Sequence, residues 1–64
     1  MSAPDVELKV VLPEATAFAL AELCKRFGWS DATSLSANRD EAFEMIEATN
    51  AVRRALIEAG VVVR

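Results

Sequence analysis

Four residues in this chain oppose regular helix, and their positions divide it: Pro4, Pro13, Gly28 and Gly60. Proline withholds a backbone N–H and locks φ, while glycine costs a helix interior about 1 kcal/mol relative to alanine. The marks leave room for a short lead, Met1 to Pro4, then segments 5–12, 14–27 and 29–59, and a brief tail from Val61. With 64 residues in all, the chain is expected to form one small domain over 1–64, burying roughly 60% of the surface it exposes when unfolded. Twelve of its apolar residues are alanine, so about 22 larger apolar side chains remain to build a core.

Each segment has its own pattern. In Asp5–Leu12, Val6, Leu8 and Val10 alternate with Glu7 and Lys9, the period of a strand with one buried face. Pro13 ends that run and suits the first turn of a helix. Helix is predicted over Glu14 to Phe27, with Ala17, Leu20, Leu23, Cys24 and Phe27 on one face and Gly28 closing it. Trp29 to Ala37 is less regular: Ser30 can cap a helical turn or short helix that drops Leu35 into the core. A capping-box-like start at Asn38 to Glu41 opens a long helix over Arg39 to Ala59, stopped by Gly60. Val61 to Val63 is β-prone and can pair with Val6 to Leu12 as a two-stranded ribbon. The expected fold class is α+β and mostly α: N-terminal strand, helix, short irregular or helical turn, long C-terminal helix, short β tail.

Composition removes several function classes. The chain has no histidine and one cysteine, Cys24. It therefore lacks the usual general base, an internal disulfide and any multi-thiolate metal site. Cys24 falls mid-face on the first helix, where core packing accounts for it better than nucleophilic chemistry. The serines sit in turn-like sequence and read as caps, and Glu44 and Glu47 have no evident pocket for acid/base work. We expect no enzyme, no cofactor and no metal. No apolar run reaches the length of a membrane span, and the cysteine usage fits a reducing cytoplasm. The net charge of −3 and pI near 4.7 favour a basic partner.

The most informative pattern lies on the long helix. At 100° per residue Asp40, Glu44, Glu47 and Glu58 share an arc roughly 60° wide, interleaved with Ala48, Ala51 and Ala55. Glu14 and Glu22 of the first helix are candidate extensions. Such a stripe is either a solvated face or a surface for a Lys- and Arg-lined groove that otherwise holds a nucleic-acid strand. Arg53 points toward the apolar arc and is expected either to pair with an acid of the first helix, Glu14 or Glu22, or to lie at an exposed edge of the fold. Phe18 and Trp29 either lid the core or, if exposed, anchor a protein partner.

Strand, helix, turn and helix over residues 5–59 resemble the ribbon-helix-helix family of small dimeric DNA-binding repressors and antitoxins. That resemblance implies Glu7, Lys9 and Val11 at the base-reading positions, although Gly28–Asn38 is longer than the family's turn. The run Leu8-Lys9-Val10-Val11-Leu12-Pro13, then Arg26-Phe27-Gly28-Trp29 and a capped Glu/Ala-rich helix, is similar to small phage and mobile-element proteins, specifically anti-CRISPR inhibitors of type I systems, with type I-C suspected. This implies a non-enzymatic inhibitor in the bacterial host cytoplasm, monomeric or homodimeric. It would bind a basic groove of a Cas surveillance complex by DNA mimicry, without touching nucleic acid. The alternative is a dimeric ribbon-helix-helix regulator or antitoxin reading DNA through its N-terminal strand.

Overall fold

A computed structural model describes residues 4–63. Met1 to Ala3 of the expected lead, and Arg64, lie outside the described residues. Three helices follow in order: α1 (Glu14–Arg26), α2 (Trp29–Leu35) and α3 (Arg39–Glu58).

Local chemistry accounts for each boundary. Pro13 is the N-cap of α1, and its carbonyl accepts from Ala17 N–H at 2.9 Å. The chain leaves α1 at Phe27, whose backbone is extended, so the helix is one residue shorter than the predicted Glu14–Phe27. Gly28 does not close α1 as expected. At φ −119 it is extended and serves as the N-cap of α2, with its N–H donating to Asp31 Oδ2 at 2.9 Å. That makes Asp31, not Ser30, the side chain that organises this start. α2 tolerates its Ser/Thr content because the hydroxyls of Thr33 and Ser34 donate to the carbonyls of Ser30 and Asp31, each at 3.0 Å. These groups are satisfied inside the helix rather than competing with it.

The α3 ends behave as the sequence indicates. Asn38 Oδ1 accepts from Glu41 N–H at 2.8 Å, while the Glu41 carboxylate accepts from Ala37 N–H at 2.7 Å. At the far end Ala59 is the C-cap, and Gly60 takes φ +92, a left-handed conformation that glycine adopts without a Cβ penalty. Val61 N–H donates to Leu56 O at 2.8 Å and Gly60 N–H to Ile57 O at 3.0 Å. This pair of bonds is the Schellman closure.

The expected α+β class is wrong. Among the described residues there is no strand, and the fold is all-α. Asp5–Leu12 forms no regular element, and none of these residues makes a hydrogen bond among the described residues. A strand needs a paired neighbour, and the tail cannot supply one. The Schellman bond draws Val61 back onto α3, and Val61 to Val63 line a small crevice of about 50 Å³ with Ala21, Lys25, Arg53, Leu56 and Ile57. The alternating arm instead overhangs Leu20, Val52 and Leu56.

Both shorter helices pack on α3. The buried positions are small, namely Ala21, Cys24, Ala32 and Ala42, and among the described residues no large side chain is fully buried. Leu35, expected in the core, is exposed, because Ala32 anchors α2 instead. Leu23 and Ile57 are exposed too: the apolar arcs of α1 and α3 are wider than their mutual contact can cover. The Cα trace measures 34 × 28 × 15 Å, and its thin dimension is that of two packed helices, each Cα cylinder about 4.6 Å across and the axes about 8–10 Å apart.

Candidate functional site

Because α3 runs unbroken for 20 residues, Asp40, Glu44, Glu47 and Glu58 keep the common face their spacing predicts, over about 27 Å of axis. All four are exposed, as are Ala48, Ala51 and Ala55 between them. None of the four carboxylates makes a hydrogen bond or ion pair among the described residues. Glu41, in the same first turn, is committed to the cap. The stripe is therefore a row of solvated negative charges on a low-relief helix.

The α1 acids are placed differently. Glu14 is exposed in the first turn of α1, next to its positive dipole end. Glu22 accepts from Arg26 Nε at 3.3 Å along the same helix, which offsets its charge locally. The expected Arg53 pairing with Glu14 or Glu22 does not occur. Arg53 is exposed, at an edge of the fold, and forms no ion pair among the described residues; it lines the small crevice together with Leu56 and Ile57. Arg54 likewise forms no pair with Glu58 among the described residues.

Phe18 and Trp29 are both partly exposed. Trp29 packs on Phe43 of α3, ring centroids 4.8 Å apart and planes tilted 45°. The Arg39 guanidinium stands 5.8 Å from the Phe43 centroid, within cation–π range. A depression lined by Trp29, Thr33, Ser36, Ala37, Asn38 and Arg39 lies alongside. Sequence reasoning missed Phe43 and Arg39; their i,i+4 spacing on a capped helix was the available signal. Cys24 is buried and free, in agreement with a packing role.

Among the described residues no group of His, Cys, Asp or Glu comes together as a metal-binding set, and no helix is long and apolar enough to cross a membrane. What the surface offers is electrostatic and apolar contact. A family model matches the chain over residues 1–64. The chain belongs to a family of unknown function, DUF7706. No curated protein and no solved structure matches it. The family assignment carries no activity, so the reading of function rests on the surfaces just described.

Proposed function

We propose that this protein is a non-enzymatic inhibitor that lays the acidic face of α3 on a basic, nucleic-acid-binding groove of another protein. The target class is a type I CRISPR-Cas surveillance complex in a bacterial cytoplasm, and the consequence is blocked binding of target DNA. The observation that carries the reading is the exposure of Asp40, Glu44, Glu47 and Glu58, unpaired among the described residues, on one face of a single helix. The target class comes from the resemblance of Leu8–Pro13, Arg26–Trp29 and the capped helix to small phage inhibitors. Electrostatic attraction would steer the encounter, and the half-exposed Trp29 and Phe18 would add contact area.

Direct DNA binding is less well supported. The arm residues at the would-be reading positions are one acid, one base and one valine, on a chain of net charge −3, and repulsion from a phosphate backbone opposes that contact.

The test is the effect of the purified chain on target-DNA binding by a type I surveillance complex, with and without Glu44→Lys plus Glu47→Lys. Inhibition should fall at least tenfold in the double variant with helix content unchanged by circular dichroism, and should weaken as salt rises. Undiminished inhibition by the variant, or a mobility shift of duplex DNA by the chain alone, overturns the reading.

A further inference from the structure

The core of this chain is poor in large side chains. Three alanines and a cysteine are its buried positions, and among the described residues no large side chain is fully buried. Domains of this size commonly complete such a core by oligomerising. The chain also exposes 5490 Å², where a compact monomer of its mass exposes about 4,000 Å². The surplus exceeds the roughly 800 Å² that each partner buries in a standard interface.

One flank of α3 carries the pattern of a helix seam. Phe43, Glu47, Asn50, Arg54 and Ile57 follow one another at spacings of four, three, four and three residues, the repeat by which two helices pack along their length. At 100° per residue they span an arc of about 80° and share only Glu47 with the acidic row. Phe43 is 52% exposed and Ile57 55%. Glu47 and Arg54 are exposed and form no ion pair among the described residues. Between them Asn50 is half-buried, and its side-chain amide makes no hydrogen bond among the described residues.

We infer that the occupant of this flank is α3 of a second copy of the chain, packed antiparallel with Asn50 on the two-fold axis. The seam is self-complementary in that direction alone. A parallel pair sets Glu47 beside the partner subunit's Glu47 and Arg54 beside the partner subunit's Arg54, two like-charge contacts. In the antiparallel pair Phe43 lies opposite the partner subunit's Ile57, because the two positions stand seven residues either side of Asn50. Glu47 falls within one residue of the partner subunit's Arg54, a mismatch of about 1.5 Å along the axis. Asn50 meets the partner subunit's Asn50, and each amide offers both a donor and an acceptor. Slipping the register by about one turn sets Glu47 against the partner subunit's Asn50 or the partner subunit's Ile57, so the charge pairs and the amide pair are lost together. A single asparagine in an otherwise apolar and charged seam is how helix pairs fix their register, at a cost in stability. Asp40, Glu44 and Glu58 stay outside the seam, so the dimer and the inhibitory face are separate readings, the first read by mass and the second by inhibition.

Sedimentation equilibrium of the full chain should give twice the 6.9 kDa chain mass across the micromolar range. Glu47→Arg or Arg54→Glu alone should raise the dimer dissociation constant about three- to tenfold, and the two together should restore it. Asn50→Cys, treated with the thiol oxidant diamide, should give a dimer cross-linked through position 50 at least tenfold faster than Ala48→Cys, on the opposite side of the helix, does through position 48. A monomer at every concentration, cross-linking of Ala48→Cys as fast as that of Asn50→Cys, or failure of the double swap to recover would each overturn the inference.

Discussion

Trp29, the first residue of α2, packs its ring 4.8 Å from that of Phe43 in the second turn of α3. The contact joins the seven-residue α2, too short to be stable alone, to the longest element of the chain. A tilted aromatic pair contributes about 0.5–1.5 kcal/mol beyond the area it buries. Since both rings remain partly exposed, Trp29→Ala and Phe43→Ala should each cost about 2 kcal/mol in urea unfolding followed by far-UV circular dichroism. The double variant should cost less than the sum by the coupling energy. Strict additivity would show that the rings do not support one another.

At the start of α3, Asn38 accepts the Glu41 N–H and Glu41 accepts the Ala37 N–H, so two donors of the chain entering the helix are satisfied. Asn38→Ala should destabilise by about 1 kcal/mol, and Asn38→Asp should be close to neutral, since aspartate caps as well as asparagine. The measurement is the thermal midpoint, at matched protein concentration because any association makes that midpoint concentration-dependent. Equal losses in both variants would mean that the side-chain oxygen is not what matters at this position.

These termini were legible in the sequence because caps are local: Asn38, Glu41 and Gly60 determine their own surroundings within a turn. The acidic arc was legible for the same reason, since a 20-residue helix places Asp40, Glu44, Glu47 and Glu58 by geometry alone. Strand formation was not. The alternation of Val6, Leu8 and Val10 states which face is apolar, but pairing depends on a partner, and Val61 is tied to Leu56 by its own helix terminus. Gly28 was misassigned because glycine suits either side of a helix boundary, and the deciding signal was Asp31 three residues on. The core was misjudged in size. Apolar periodicity marks Leu23 as inward-facing and the capped turn directs Leu35 to the core, yet the helices meet through Ala21, Ala32 and Ala42, which leaves the larger side chains outside the contact.

That meeting through alanine makes a prediction of its own. Ala42 has no exposed surface and sits in the first turn of α3, where its methyl group is covered on every side. Interiors at this density do not absorb extra methylenes without moving side chains off their rotamers or shifting backbone. Ala42→Leu should therefore destabilise by about 1–3 kcal/mol, although leucine is a good helix former and more hydrophobic. Ala48→Leu, at an exposed position of the same helix, should change stability by no more than about 0.5 kcal/mol. Chemical denaturation of both variants at one protein concentration decides the matter. A neutral or stabilising Ala42→Leu would show that the helices stand far enough apart to accept a larger side chain, and the close approach through alanine would then be wrong.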